Sequence, residues 1–302
     1  EAFHDVVWFI YEIVIKELAI PPEQVILISE SAIINKEVEK IAEEFKLPKI
    51  KTMWVRALEH SLHNTQRVYN RLETLSDKKY KKKFLNLNRR WRMHRPTFVA
   101  LLELNNLLEQ GYVSLAKADD NGDWDKFMGF AHTFFETDIK FKEMFINNEH
   151  RISQIPHLIL DQQDMTFNHA QTFTPLLDSY YENTYFSIVT ETTFFKEFGE
   201  GILLSEKTFK PIMHRHPFVI LSRPHTLKTL RHIGYKTFDG IINESYDNEE
   251  NDITRMMMVV EETKRLCSLD EHQLNTFLME ARHIVDYNYN ILREKETFLT
   301  EL

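Results

Sequence analysis

Two periods alternate in the apolar positions of the chain. Phe3, Val6, Val7, Ile10, Val14 and Leu18 recur every three or four residues, which predicts a helix over 3–19 that Pro21 and Pro22 stop. Residues 25–28 form a short, wholly apolar run that predicts a strand, and its carboxyl end leads straight into Ser29, Glu30 and Ser31. A helix over about 35–46 and a strand near 50–55 follow, so this stretch reads as a βαβ-like part of one small parallel sheet. Residues 60–80 turn polar and basic, and the domain change is placed there. Beyond it, strands at 84–88, 112–117, 185–189 and 217–221 alternate with helical patterns at about 96–108, 124–148, 205–215, 225–232 and 250–302. Residues 89–95 read as a loop, with Pro96 in the first turn of the next helix.

This alternation is the signature of α/β architecture. The expected division is a reduced α/β domain over 1–75, a larger doubly wound domain over 80–285, and a last helix over 286–302 that crosses back to the first. Leu274, Phe277, Leu278, Ala281, Ile284, Val285, Ile291 and Leu292 make one apolar stripe on the terminal helices, and Met256, Met257 and Met258 read as gap-filling core.

Composition narrows the chemistry. Only 7 of 302 residues are glycine, and neither a GxGxxG nor a P-loop pattern occurs, so a bound nucleotide would have to be held by side chains. Cys267 stands alone, which excludes a disulfide framework within the chain and any zinc site built on several cysteines. A reducing compartment fits, no run of about 18 apolar residues suggests a membrane span, and the start lacks a signal-peptide pattern. A cytoplasmic, soluble protein is the expectation.

Formal net charge is −9, which argues against a protein that lives on nucleic acid by bulk electrostatics. Residues 78–95 nevertheless hold nine Lys or Arg and no acid. Lys78 to Lys83 read as a solvated charge run. Arg89, Arg90, Arg92 and Arg95 follow an apolar alternation directly, and they read either as an exposed basic loop or as a diphosphate clamp replacing the missing glycine-rich turn.

Ligands of open α/β sheets sit outside the carboxyl ends of the strands. Three polar segments fall there: Asn88 with Arg89, Arg90, His94 and Arg95; Glu191 with its flanking threonines; and Ser205, Glu206, Lys207 and Thr208 at a helix start. Arginine and lysine hold phosphate oxygens, while glutamate accepts hydrogen bonds from sugar hydroxyls, so together they match a sugar nucleotide. Helix capping is the alternative reading of Ser205 and Glu206.

The run Phe186-Ser-Ile-Val-Thr-Glu191-Thr-Thr, then Leu204-Ser-Glu206-Lys207-Thr-Phe-Lys210-Pro-Ile and His216-Pro-Phe-Val-Ile-Leu221, resembles the donor-binding region of fucosyltransferase-type glycosyltransferases. Thr190 stands where that family usually has Phe, and Thr192 where it has Asn. Residues 225–247 have no counterpart there, but are similar to stretches of uncharacterised phage, giant-virus and bacterial proteins associated with surface-glycan enzymes. The resemblance implies two Rossmann-like domains facing a cleft, the GT-B arrangement. It further implies inverting, metal-independent transfer from a nucleoside diphosphate sugar to a glycan or other hydroxyl acceptor, with no cofactor; fucose specificity is not implied. Glu191 and Glu206 would meet donor hydroxyls and Lys207 the diphosphate.

Inverting transfer needs a base near the acceptor hydroxyl. Glu30, at a strand's carboxyl end, is the first candidate, with His63 and His60 next. Asp119 to Asp123 read as a turn; an EF-hand fails there because Lys117 and Met128 would fall on its carboxylate positions. His214 and His216 read as caps of a helix end rather than metal ligands. Two rivals remain: a nucleic-acid binding or modifying protein using residues 78–95 with Tyr80 and Trp91 as stacking groups, and a noncatalytic glycan-assembly scaffold. Nucleic acid as the glycosylated acceptor would merge the first with the transferase.

Overall fold

The structure, a computed structural model, describes residues 2–55, 80–88, 91–115, 124–135, 138–156, 158, 160, 178–195 and 201–294. The first unit begins with α1 (Ala2–Phe9), which runs on as a π-helical segment, Ile10–Glu17. Strand β1 (Ile26–Ser29), helix α2 (Ile34–Phe45) and strand β2 (Lys51–Trp54) follow. β1 and β2 pair in parallel, Ile26 opposite Lys51 and Ser29 opposite Trp54. Ile34, Val38, Ile41 and Ala42 lie on one stripe of α2 and bury it with Val7, Tyr11 and Ile50. Helix α2 ends where Lys46 turns left-handed (φ 54°) and Leu47 N–H bonds back to the Ala42 carbonyl.

β1 is apolar but only partly covered. Ile26 and Ile28 are 52% and 58% exposed, because β1 has one neighbour in its sheet and α2 covers only one side of it.

The second unit is a four-stranded, all-parallel sheet in the order β4-β3-β5-β6, made of β3 (Lys82–Asn88), β4 (Gly111–Leu115), β5 (Thr184–Thr190) and β6 (Phe218–Leu221). Between β3 and β4 lies α3 (His94–Leu104). Among the described residues, four helices separate β4 from β5: α4 (Trp124–Phe134), α5 (Ile139–Asn147), α6 (Glu149–Ser153) and α7 (Asp178–Glu182). Then come α8 (Glu206–Met213) before β6, and α9 (Thr226–His232), α10 (Asp252–Ser268) and α11 (Glu271–Glu294) after it. All seven residues of β5 are buried, as the inner position of that strand requires. Gly111 opens β4 opposite Phe84, and a Cβ there would run into the Phe84 ring.

From β3 the chain steps one way to β4 and later the other way through β5 to β6. Right-handed crossovers therefore set α3 and α8 on opposite faces of the sheet. Accordingly α10 packs on α3 while α11 packs on α8. The change of direction puts a topological switch between the carboxyl ends of β3 and β5.

One helix differs in detail from its predicted start. The helix expected from Pro96 starts at His94, so His94 and Arg95 belong to its first turn and not to the loop. Of the terminal helices expected over 250–302, α10 and α11 meet at Asp270, whose carboxylate accepts from Gln273 N–H (2.8 Å) while the Gln273 side chain accepts from Asp270 N–H (3.0 Å), a capping box. As for the final helix, its described part stays with the second sheet: Asn288 bonds both backbone groups of Lys236, and Asp286 pairs with Arg215 at 2.9 Å. Residues 295–302 lie outside the described ones. Among the described residues, no helix is long and apolar enough to cross a membrane.

Candidate functional site

The switch between β3 and β5 is floored by amides. Side chains two apart on a strand share a face, so Asn86 and Asn88 point together. Asn86 donates to the Ile188 carbonyl (2.7 Å), Asn88 Nδ2 donates to Asn86 Oδ1 (2.7 Å), Asn88 Oδ1 accepts from the Thr190 hydroxyl, and Asn88 N–H donates to Ser114 Oγ (3.0 Å). Asn88 is thus consumed within the sheet, one layer beneath the crevice where a ligand contact was expected.

Above this floor, Glu191 directly follows β5 and has no exposed surface. Its Oε1 accepts from Ser205 N–H (3.0 Å) and Thr208 Oγ (2.5 Å), and its Oε2 from Ser205 Oγ (2.6 Å) and Thr192 N–H (3.0 Å). Four donors around a buried carboxylate make it the anchor of the α8 N-terminus, where the positive end of the helix favours an anion. That corrects the expectation that Glu191 meets a donor hydroxyl: its acceptor sites are already engaged inside the protein. Ser205 is the N-cap, its Oγ accepting from Lys207 N–H at 3.2 Å, and Thr208 is buried with it.

The first turn of α3 braces the same point from the other side. His94 Nε2–H donates to the Glu191 carbonyl (2.8 Å), and Arg95 Nη2 reaches the Thr190 and Glu191 carbonyls at 3.4 Å. Burial, then the Arg95 charge, then those of Arg92 and Lys207, push His94 well below the ordinary histidine range, so it stands neutral. Arg95 is only 2% exposed, an interior tie between α3 and β5 instead of the free clamp that the sequence suggested.

The crevice itself is reached by Lys207 and Glu206, 23% and 15% exposed in their side chains and paired at 2.9 Å. Lys207 Nζ also lies 3.2 Å from Ser205 Oγ and 3.4 Å from Thr192 Oγ. Burial pushes the Glu206 carboxyl up, but the Lys207 charge and hydrogen bond, with Lys210, outweigh it and hold the group below its usual range.

Glu30 arrives from the first unit. Immediately after it, Ser31 bridges Leu203 in antiparallel fashion and Ala32 N–H donates to the Ile202 carbonyl (2.9 Å), which brings the end of β1 against the segment leading into α8. The Trp54 indole N–H holds the Glu30 carbonyl at 3.2 Å. Burial, and then the negative charge of Glu206, raise the Glu30 carboxyl above its ordinary value.

Around one point, then, stand His94, Arg95, Glu191, Ser205, Glu206, Lys207 and Thr208, with Asn88 beneath and Glu30 facing Glu206. Arg89, Arg90, His60, His63 and Asp119 to Asp123 lie outside the described residues. Two of the remaining candidates separate. His214 caps the end of α8 through the Lys210 carbonyl (2.8 Å), whereas His216 has left the helix and bonds Ser187 Oγ and the Thr184 carbonyl of β5, both at 2.8 Å.

The basic island divides as well. Lys82 and Lys83 are tied to backbone carbonyls of Glu109, Cys267 and Leu269. Tyr80 stacks on Tyr185 at the amino end of β3, and Trp91 lies beyond the carboxyl end. A strand of seven residues, roughly 23 Å long, separates these two rings.

Arg255, on α10, escaped sequence reasoning. It is fully buried, donates to the Ser222 carbonyl after β6 (2.8 Å) and to the Phe194 carbonyl after β5 (3.2 Å), and pairs with Asp252 at 2.6 Å. It thereby fixes two crevice loops from more than thirty residues away. One charge among three methionines offers no periodic signal, and only a buried arginine's need for several acceptors would have marked it.

Comparison of the chain with protein-family models, with curated proteins and with solved structures gives no match.

Proposed function

We propose that the chain transfers a sugar from a nucleoside diphosphate sugar to an acceptor hydroxyl, with inversion and without a resident metal, in a reduced GT-B arrangement. The first unit would be the acceptor half and the second the donor half. The observation that carries this reading is the ion pair of Lys207 with Glu206 at the start of α8, the Glu206 carboxylate lying within electrostatic reach of a half-buried Glu30 from the other unit, beside a topological switch of a parallel sheet.

On donor binding, Lys207 exchanges Glu206 for the diphosphate, and Glu206 is released to accept hydrogen bonds from sugar hydroxyls. The acceptor oxygen then bonds to the anomeric carbon as the bond from that carbon to the diphosphate oxygen breaks. The acceptor proton passes to Glu30, and the electron pair leaves with the diphosphate, whose growing charge Lys207 offsets. The raised Glu30 carboxyl suits proton uptake, since a base more basic than an ordinary glutamate accepts more readily.

Calorimetry with UDP and GDP, followed by turnover with their sugars, tests the reading. Lys207→Ala should weaken nucleoside diphosphate binding by about tenfold or more, the loss of one charge-assisted contact. Glu30→Gln should keep donor affinity and lose at least about a hundredfold in turnover. Folded protein that binds no nucleoside diphosphate overturns the proposal, and donor binding without any transfer assigns the chain to a noncatalytic glycan-assembly scaffold.

A further inference from the structure

Four tryptophans occur in the chain, and the fold brings two of them from separate loops to one place. Trp91 follows the end of β3, and Trp124 opens α4 after β4. Their rings meet edge to face, centroids 5.3 Å apart at 80°, and Trp124 in turn stands edge-on to the buried Phe127 at 5.6 Å. Each indole packs against the core yet stays partly exposed. The result is a braced aromatic surface at the carboxyl edge of the sheet, on the β4 side of the switch.

The charged pair Glu206 and Lys207 lies on the β5 side. Three residues beyond Trp91, His94 opens α3 and bonds the Glu191 carbonyl, so this short segment links the indoles to the anchor of α8. β4 and β5 flank β3, and two strand spacings amount to about 10 Å. An elongated ligand with a flat aromatic group at one end and an anionic group at the other, a nucleoside diphosphate in size and kind, would span that distance.

We infer that Trp91 and Trp124 form the stacking platform for the base of the bound nucleotide, with the diphosphate lying across the α3 N-terminus toward Lys207. This rests on the nucleotide-sugar reading of the same crevice and adds to it the seat of the base. Stacking on an indole accepts any base by its π-face, so the platform supplies affinity without choosing among bases. It also fills the role of a glycine-rich turn in part: where no backbone cradle holds the phosphates, the base end supplies a larger share of the binding.

Intrinsic fluorescence of the full chain is titrated with UDP, GDP, inorganic pyrophosphate and a single-stranded oligonucleotide. Nucleoside diphosphates should quench the emission and bind roughly tenfold more tightly than pyrophosphate. Trp91→Leu should erase that advantage and leave pyrophosphate affinity within about twofold of wild type, and Trp91→Phe should restore most of it. Equal affinity of wild type for pyrophosphate and the nucleotides overturns the platform alone, with the diphosphate site intact, and needs no variant to be read. Nucleotide affinity unchanged in Trp91→Leu does the same. Binding of the oligonucleotide more tightly than either nucleotide, lost in Trp91→Leu, overturns it by giving the rings to nucleic acid. Failure of pyrophosphate and nucleotides alike to bind removes both the platform and the proposed function.

Discussion

His94 is a titratable side chain that the fold keeps neutral. Its ring is buried, Arg95 adjoins it, and its folded pKa lies well below the unfolded value near 6.5. Below about pH 6.5 the unfolded chain therefore binds a proton that the folded chain refuses, and stability falls as pH falls. Between pH 7.5 and 5.5 this one group should cost up to about 1.4 kcal/mol, the limit for a ring that takes no proton in the folded state. Urea denaturation at both pH values checks it, with His94→Gln as reference; a wild type that loses no more than the variant would show that His94 takes up its proton in the folded state. The neighbouring Glu191 teaches what a sequence conceals at this scale. Its residue type and its place at a strand end were legible, and both suit a ligand contact. Four donors from Thr192, Ser205 and Thr208 turn the same carboxylate inward, and only the path of the chain over residues 191–208 brings them there.

Elements were the most legible level, because their periods are written in the chain. Strands β3, β5 and β6 and helices α2, α8 and α9 lie within two residues of the predicted spans. What periodicity could not distinguish is how many sides of an apolar strand are covered. β1 and β6 are both short apolar runs, yet β6 is buried throughout and β1 is half open. Substituting Ile28→Thr should accordingly shift stability by no more than about 0.5 kcal/mol. Gly111→Ala, by contrast, should cost about 1–3 kcal/mol, since its methyl group would press on Phe84 within a close-packed core. Thermal melts of the two variants should separate clearly; a neutral Gly111→Ala would mean that Phe84 yields without strain.

At the level of the complete chain, α11 closes the second unit. Leu274, Phe277, Ala281, Ile284, Val285 and Leu292 are all buried in its main core. Each of the five larger side chains is worth up to about 1.5–3 kcal/mol on burial, and together they are comparable to the usual 5–15 kcal/mol net stability of a domain. Ending the chain after residue 270 should therefore leave a protein without cooperative unfolding, read by circular dichroism; a sharp transition would show that the sheet folds without this helix. Local order along the chain was enough to specify the alternation of strands and helices, the parallel α/β character and the apolar stripe of α11, because these depend on neighbours three or four positions away. Folding in three dimensions set the rest: the strand order with its switch beside Glu191, the inward turn of Arg95, the approach of Glu30 to Glu206, and the meeting of Trp91 with Trp124. Those relations join residues tens to nearly two hundred positions apart, and nothing in a local period records which distant partner a side chain will find.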